Sequence, residues 1–533
     1  MTKLIDSFPH ASARDPQIEV LDFVEKEFLN SDKRFLIIEA GTGVGKSAIG
    51  FTIARHIART SMSNSYFLTT QKILQEQYVE DFSQLGMRSL KSSANYQCTY
   101  QKESTCSESS RQLRNAEKGT RFWNNCMMKC PYKNAKTDFI SASTGVTNFS
   151  YFLAETTYSG KLKARDLLVI DEAHNTELEL SRFVEVVVTE RFSKHQLKIE
   201  MPNLKTQTQA EKWVRDVYAP KAKSHKRHIE KMLEKYHGLK EKAGQFSSFA
   251  KQLDLLDKHV CKINRFLQIY DRENWVCNLV PSEGRKGRRL EFKPVDVSPY
   301  SEEMLFKHGQ KVLLMSATIL DKDAFCETLG IDKGSALFIG VPSPFPTDSR
   351  PIVSVPVGKM SSKVIEYTLP KMVEMVKKLM AEHPNEKGII HCHTYRIANH
   401  LKRHLRSRRI LVHDSSNRDQ ILEKHKSSDK PTVLLTPSMT EGVDLKDEYS
   451  RFQIICKIPY PYLGDKIVKK RMHKWKWWYS LQTAKSIIQS VGRSVRSEKD
   501  FAVTYILDED WLQFYRRNRG LFPKDFHECY KSL

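Results

Sequence analysis

The amino-acid sequence predicts an α/β protein built from two parallel-sheet domains. The chain has 533 residues, which is too long for a single hydrophobic core. Short apolar runs alternate with amphipathic helical stretches, as expected for strands that are buried on both faces of a parallel sheet. This alternation occurs once before residue 343 and again after it, with a proline-rich stretch between the two parts.

Each apolar run is short and ends in glycine or polar residues, which favours a strand over a buried helix. In the first half we predict strands at 35–38, 66–68, 167–170 and 311–315. In the second half we predict strands at 388–391, 410–412, 432–435 and 453–457.

The first run leads directly into AGTGVGKS, Ala40 to Ser47. Glycines here allow backbone N–H groups to turn toward phosphate oxygens, and the helix that follows adds its N-terminal dipole. Lys46 is placed to reach β- and γ-phosphates, and the Ser47 hydroxyl is placed to bind Mg²⁺. The sequence therefore predicts a triphosphate-binding P-loop comprising Gly41, Thr42, Gly43, Val44, Gly45, Lys46 and Ser47.

Polar residues at the ends of other strands favour the same chemistry. Asp171 and Glu172 follow the run 167–170, where one carboxylate can hold Mg²⁺ and the other can orient or deprotonate a water. Ser316 and Thr318 follow the run 311–315. Gln17 begins an amphipathic helix, where its amide could read an adenine edge or simply belong to a helix N-terminus.

Near the C-terminus, the segment QSVGRSVR places three polar side chains on one helical face, because they are spaced by four and three residues. These side chains are Gln489, Arg493 and Arg496. Two guanidinium groups on one face suit a γ-phosphate that is bound by another domain.

Four cysteines lie in a polar stretch between residues 92 and 136: Cys98, Cys106, Cys126 and Cys130. They are separated by seven, nineteen and three residues. A segment with few aliphatic residues needs another source of stability, and four thiolates around a metal centre would provide it. This spacing leaves zinc and an iron–sulfur cluster both open.

Residues 181–287 are helical and basic in composition. Apolar residues between 246 and 270 recur every three and four positions, which predicts a helix packed against a second helix near 229–236. The basic residues between 221 and 242 form either a solvated face or a nucleic-acid contact. GRKGRR at 284–289 is predicted as a basic hairpin tip. The tryptophans between 475 and 478 are expected to pack, with base stacking as the alternative.

Overall charge favours a polyanionic partner, with nucleic acid the first candidate. Lys and Arg number 86 against 63 Asp and Glu, a formal net charge of +23. No run of eighteen apolar residues occurs, and the first residues resemble no secretion signal. We therefore expect a soluble protein with no membrane partner and reduced cysteines, located in the cytoplasm, or in the host cytoplasm if it is viral.

The order AGTGVGKS, DEAH, SAT, EGVD and QSVGRSVR resembles motifs I, II, III, V and VI of superfamily 2 helicases. Four further phrases resemble the XPD/DinG family of iron–sulfur DNA helicases: NYQC, CPY, VTNFSYFL and VPSPFP. The resemblance covers essentially the whole chain. It implies two RecA-like motor domains, an inserted iron–sulfur cluster domain and an inserted helical Arch domain.

The resemblance also implies a division of the chain. Motor domain 1 would comprise 1–91, 139–181 and 288–342, interrupted by a cluster domain at 92–138 and an Arch-like domain at 182–287. Motor domain 2 would comprise 343–533. The implied activity is that of an ATP-dependent helicase moving 5′ to 3′ on single-stranded and forked DNA, as a monomer with ATP, Mg²⁺ and a 4Fe–4S cluster.

Residue roles carry over by position. The resemblance makes Lys46, Asp171, Glu172, Arg493 and Arg496 catalytic, with Ser47 and Asp171 on Mg²⁺. Gln17 would recognise adenine, and Glu441, Asp444 and Gln489 would close the site from motor domain 2. His174, Ser316 and Thr318 would couple nucleotide state to strand binding, and the four clustered cysteines would bind the cluster. The alternatives are a nucleic-acid-bound ATPase switch that does not unwind, and an RNA helicase.

Overall fold

The computed structural model describes residues 3–282, 287–413, 417–437, 447–492, 495 and 500–532. In this part of the chain, strands form two seven-stranded parallel sheets and one three-stranded antiparallel sheet. The strands are β1 Phe35–Ala40, β2 Ser65–Thr69, β3 Met87–Leu90, β4 Thr144–Asn148, β5 Arg165–Asp171, β6 Val186–Thr189, β7 Trp275–Val280, β8 Arg289–Pro294, β9 Gly309–Ser316, β10 Ala336–Val341, β11 Ile352–Gly358, β12 Gly388–His391, β13 Ile410–Val412, β14 Val433–Thr436, β15 Phe452–Ile455, β16 Val503–Asp508 and β17 Tyr530–Ser532.

Helices fill the connections between these strands. They are α1 Asp15–Phe23, α2 Lys46–Ser61, α3 Lys72–Phe82, α4 Cys106–Leu113, α5 Arg121–Met128, α6 Pro131–Ser141, α7 Phe149–Ala154, α8 Thr176–Val184, α9 Glu190–His195, α10 Gln207–Trp213, α11 Ala219–Tyr236, α12 Ala243–Ile269, α13 Ser298–Met304, α14 Lys322–Leu329, α15 Ile365–Glu382, α16 Tyr395–Leu405, α17 Arg418–Ser427, α18 Lys466–Lys474, α19 Trp478–Val491, α20 Asp510–Arg517 and α21 Lys524–Cys529.

The first parallel sheet has the strand order β10-β1-β9-β5-β2-β4-β3. Its strands are apolar runs because helices cover both faces, and four of the six residues of β1 are buried without interruption. The register pairs Glu39 with Ser316 and Asp171 with Met315. The polar ends of β1, β5 and β9 therefore meet at one edge of the sheet, where open α/β sheets bind ligands.

The second parallel sheet has the strand order β13-β14-β12-β15-β16-β11-β17. The prediction of two α/β parallel-sheet units is thus confirmed, and each predicted apolar run lies on a strand. The first sheet ends at Val341 and the second begins at Ile352, so the proline-rich stretch connects them.

Two insertions interrupt the first sheet. The first insertion, between β3 and β4, contains helices α4 to α6 and the four clustered cysteines. The second insertion contains α9 to α12 and an antiparallel sheet in the order β6-β8-β7, which the sequence did not predict. The predicted apolar stripe is α12, which packs against α11. Residues 284–286 of the predicted basic hairpin tip lie outside the described residues.

Buried side chains extend from the first sheet into the second insertion as one hydrophobic cluster. Leu168 and Leu314 from the sheet belong to the same cluster as Ile263 and Phe266 from α12. The insertion therefore packs on the body of the protein and is not connected to it only by loops. None of the helices that the structure describes is both long enough and apolar enough to cross a membrane.

Candidate active site

The P-loop lies between the end of β1 and the start of α2. Gly43 and Gly45 have φ angles of 89° and 85°, a left-handed conformation that L side chains rarely adopt. Gly45 is the N-cap of α2, so the first backbone N–H groups of the helix face the loop. Lys46 follows immediately and its Nζ lies 3.4 Å from the carbonyl oxygen of Ala40. This arrangement is an anion-binding cradle.

Three residues from other parts of the chain pack against this loop. Ser343 Oγ donates a hydrogen bond of 2.8 Å to the Thr42 carbonyl, and a Cβ on Gly41 would lie 2.4 Å from the Ser343 nitrogen. A Cβ on Gly43 would lie 2.1 Å from the ring of Phe345. Arg14 Nη1 donates to the Gly43 carbonyl at 2.5 Å. The loop glycines are thus required by packing as well as by backbone conformation.

Gln17 contacts the same loop from the first turn of α1. It is 4% exposed, and a Cβ on Gly45 would lie 2.5 Å from its Nε2. Its Oε1 accepts a hydrogen bond from the Arg14 backbone N–H at 2.9 Å, so the side chain caps α1 while it packs on the P-loop. The predicted role in adenine recognition stays a prediction.

Asp171 lies beside the P-loop, at the end of β5. Its Oδ2 accepts a hydrogen bond from Tyr78 O–H at 3.1 Å, and its Oδ1 accepts one from the Glu172 N–H at 2.9 Å. Burial raises the pKa of Asp171 to about 6, the neighbouring Glu172 adds to this, and Lys46 opposes it. A divalent cation would favour the charged carboxylate, and an acid with its pKa near 6 fits that use.

Glu172 and His174 form a tight turn after Asp171. Glu172 has a φ angle of 51°, an uncommon conformation for a side chain of this size and one that is enriched at functional sites. Its Oε2 lies 3.3 Å from His174 Nδ1, and the same nitrogen is hydrogen-bonded to Ser316 Oγ at 2.8 Å. The DEAH and SAT segments are therefore directly connected.

The second parallel-sheet domain reaches this site through α19. Gln489 Nε2 donates a hydrogen bond of 3.2 Å to Thr318 Oγ1, which links the two domains at the SAT segment. A Cβ on Gly492 would lie 3.8 Å from Thr42 Oγ1 of the P-loop. The four remaining predicted residues of this domain lie outside the described residues: Glu441, Asp444, Arg493 and Arg496.

Comparison with known proteins matches both halves of the chain to helicase-related families. Residues 376–529 match the model described as "Helicase C-terminal domain", and residues 10–202 match "Type III restriction enzyme, res subunit". A probable ATP-dependent helicase of Methanocaldococcus jannaschii is 22% identical over 98% of this chain and 96% of its own length. These matches support an XPD/DinG-type helicase of superfamily 2.

A second relative has a more limited match. The ATP-dependent DNA helicase DinG of Photobacterium profundum is 24% identical over 41% of this chain, and the match spans only about a third of DinG, 34%. A solved structure of an XPD helicase aligns over 98% of this chain and 100% of its own, with a TM-score of 0.63 and 15% identity. At that identity the structural match establishes the fold, which is that of two RecA-like domains.

The four clustered cysteines are brought together. Cys130 Sγ lies 3.8 Å from Cys106 Sγ, and Cys98 and Cys126 are near enough to influence the neighbouring thiols. Burial raises the pKa of Cys106 to about 11, and the neighbouring cysteines add to this. All four are free thiols, so the donors suit a thiolate-bound metal centre in type and number. Within the described residues, however, no group of three or more candidate ligands is arranged to hold a metal ion.

Two of the three tryptophans between 475 and 478 pack as predicted, and Trp477 is half-buried. Trp475 and Trp478 are 3% and 5% exposed, which leaves neither ring free to stack on a base. Four neighbours of the site were not predicted from the sequence: Arg14, Tyr78, Ser343 and Phe345. The phrase VPSPFP contains two of them, Ser343 and Phe345. Its contact with the P-loop, from Ser343 to Thr42, joins residues about 300 positions apart, so the sequence gives no local sign of it.

Proposed function

We propose that this protein is an ATP-dependent DNA helicase that moves 5′ to 3′ on single strands. One observation carries the proposal: the P-loop, the DEAH turn and the SAT segment share one edge of the first sheet, and α19 of the second domain contacts that edge through Gln489 and Gly492. Nucleotide binding at such an interface changes how tightly two domains close, which is how hydrolysis can drive stepping.

The residues of this chain have distinct roles in the proposed cycle. The backbone of residues 41–45 and the Lys46 ammonium bind the phosphates. Ser47 and Asp171 would hold Mg²⁺, which when bound neutralises charge on the phosphate oxygens. Glu172 Oε orients a water and accepts its proton, while His174 holds Glu172 against Ser316. Arg493 follows Gly492 directly in the sequence and Arg496 comes three residues later; both are proposed to bind the γ-phosphate.

We propose in addition that Cys98, Cys106, Cys126 and Cys130 hold a 4Fe–4S cluster that stiffens the first insertion. Support comes from the shared location of the four free thiols and from the similarity of the chain to DinG and XPD helicases. Zinc is the competing occupant. Iron, sulfide and zinc measured on anaerobically purified protein distinguish the two metals, and an absorbance band of the cluster provides an independent readout.

Strand separation on tailed duplexes tests the activity. With MgATP, duplexes carrying a 5′ single-stranded tail should be unwound, and those carrying a 3′ tail should not. Equal unwinding of both would contradict the polarity. ATP hydrolysis stimulated by single strands without any unwinding would favour the ATPase switch, and stimulation by RNA alone would favour an RNA helicase.

Lys46→Ala provides the matched control for that assay, because it removes the ammonium that reaches the phosphates. ATP turnover should fall by about a hundredfold or more, since phosphoryl transfer depends on charge stabilisation at this position. Lys33→Ala is a suitable comparison, because the Lys33 Nζ donates to the Gly334 carbonyl at 2.8 Å and lies at the opposite end of β1 from the P-loop. If Lys46→Ala hydrolysed ATP normally, the assignment of the site would be wrong.

A further inference from the structure

Helix α18 of the second domain directs four basic side chains toward other parts of the chain, although Lys466 and Lys474 remain exposed. Lys466, Lys470, Arg471 and Lys474 are spaced by four, one and three residues, which places them on one helical face. That face lies against residues 272–277 and 295–296, in the segment that leads from α12 back to the first sheet. A basic helix with aromatic neighbours would ordinarily indicate a nucleic-acid surface. Here its donors are engaged within the chain.

Arg471 is at the centre of this contact. Its Nη2 lies 2.6 Å from Glu177 Oε1, and the two side chains are only 13% and 15% exposed. Its Nε donates to the Val295 carbonyl at 2.8 Å, and its guanidinium lies 5.6 Å from the Trp478 ring centre. A planar guanidinium can make these contacts in different directions at once, which a lysine ammonium of the same charge cannot reproduce.

The lysines on either side attach to the same segment. Lys470 Nζ donates to the carbonyls of Glu273 at 2.8 Å and Arg272 at 3.0 Å. Lys474 forms an ion pair with Asp296, whose side chain is 8% exposed. Lys466 Nζ lies 3.4 Å from the Cys277 carbonyl. Lys466 and Lys470 bind backbone carbonyls at the base of the second insertion, so their contacts depend on the position of that backbone.

The two partners of Arg471 belong to different functional elements. Glu177 lies in the first turn of α8, five residues after Glu172 and three after His174. Val295 follows β8, whose antiparallel partner β7 connects to the helical insertion. One side chain of the second domain therefore touches both the helix that follows the DEAH turn and the exit of the insertion.

We propose that Arg471 is a positioning residue that fixes α8 and the base of the helical insertion to the second domain. A movement of the second domain would then displace both elements together. The proposal rests on the proposed helicase function for its biological use, but its structural content does not depend on unwinding. It assigns the basic face of α18 to coupling between domains and not to the nucleic-acid track.

Hydrogen exchange on the nucleotide-free full-length protein tests the coupling directly. Arg471→Ala should accelerate amide exchange by about tenfold or more in both α8 and β7, because it removes the cation that lies 2.6 Å from the largely buried Glu177. Arg471→Lys keeps the charge and should show a smaller acceleration in the same two elements. Lys469→Ala is the matched control, because Lys469 lies on the exposed side of the same helix and should change neither.

Kinetics give a second readout. In Arg471→Ala, the kcat for strand-stimulated ATP hydrolysis should fall by about tenfold with the KM for ATP within about twofold, because the P-loop is untouched and the DEAH turn is misplaced. Acceleration of exchange confined to α18 would overturn the proposal, as would equal effects of Lys469→Ala. If Arg471→Ala shows the expected exchange in α8 and β7 but the wild type unwinds no duplex, the proposed function fails while the coupling stands.

Discussion

At the scale of single residues, the chemistry of the site depends on how Asp171 is surrounded. It lies at 7% exposure between Tyr78, Glu172 and Lys46, and one of these neighbours carries a like charge. A carboxylate in this position is unfavourable in the folded protein until a cation binds. The site thus stores unfavourable electrostatic energy, which a bound Mg²⁺ ion would relieve.

Asp171→Asn should therefore stabilise the nucleotide-free protein at pH 7 while it removes activity. Because burial raises the folded pKa of Asp171 to about 6 from 3.8, its stabilising contribution is present below pH 4 and is lost as the pH rises through 6. The melting temperature of the variant should exceed that of the wild type by about 3 °C or more at pH 7. This difference should shrink toward pH 4.

Thermal melting in EDTA over that pH range measures the effect. Asp22→Asn is the control, because Asp22 is exposed on α1 and should change the melting temperature by little at any pH. A variant that melts below the wild type at pH 7 would show that the hydrogen bonds from Tyr78 and Glu172 outweigh the cost of burial.

At the scale of elements, the connection between the two sheets is part of the P-loop. Phe345 is 5% exposed and packs between Gly43 on one side and Val495 and Ala502 of the second domain on the other. The segment that links the domains therefore supports the phosphate cradle from outside. A linker with this role has to be rigid, which accounts for its three prolines between 342 and 346.

Phe345→Ala should lower the free energy of unfolding by about 3 kcal/mol, because it removes a buried ring from a packed interface. The KM for ATP should rise as well, since Gly43 loses the neighbour that holds its left-handed conformation. Urea unfolding and steady-state hydrolysis measure the two effects. Phe501→Ala, which removes a ring that is 49% exposed, should cost less than half as much stability. If the KM for ATP were unchanged in Phe345→Ala, the linker would have no role in nucleotide binding.

The cysteine insertion makes a separate prediction. Cys126→Ser should abolish unwinding, because a metal centre in this insertion would stiffen the part of the protein that separates the strands. ATP hydrolysis should be largely retained, because the insertion lies between β3 and β4, away from the DEAH turn. Parallel assays of unwinding and hydrolysis, with metal content measured on the same samples, provide the readout. Normal unwinding by the variant would exclude a role for this insertion in separating strands.

What sequence could predict in this fold follows from burial. Strands such as β1 and β5 were predicted because both faces are covered and the runs are apolar. Strand β4, TGVTN, was not predicted, because it has few apolar residues and its burial comes from neighbouring strands and helices. The P-loop and DEAH motifs are local and could be identified. Contacts such as Arg471 with Glu177 join positions nearly 300 apart and leave no local pattern.

At the scale of the whole molecule, the net charge of +23 overstates the cations that are free to meet a polyanion. Several basic side chains are engaged with backbone carbonyls inside the fold. Arg165 donates to Ser65 and Phe139, Lys311 donates to three carbonyls near residue 30, and Arg409 donates to Met380 and Pro431. These residues stabilise loops and strand ends, so nucleic-acid binding must depend on the remaining surface cations.

Binding to single-stranded DNA should therefore be strongly dependent on salt. Each phosphate that is neutralised releases counterions, so affinity should fall by about tenfold or more between 50 and 200 mM salt. Fluorescence anisotropy with a labelled oligonucleotide measures how steeply the DNA affinity falls with salt concentration. Lys46→Ala should leave this salt dependence unchanged, because Lys46 contacts the nucleotide phosphates in the P-loop and not the DNA. A DNA affinity that does not change over this range would mean that stacking, not charge, holds the strand. The strand would then be expected to bind at the exposed aromatic residues of the cysteine insertion, such as Tyr100.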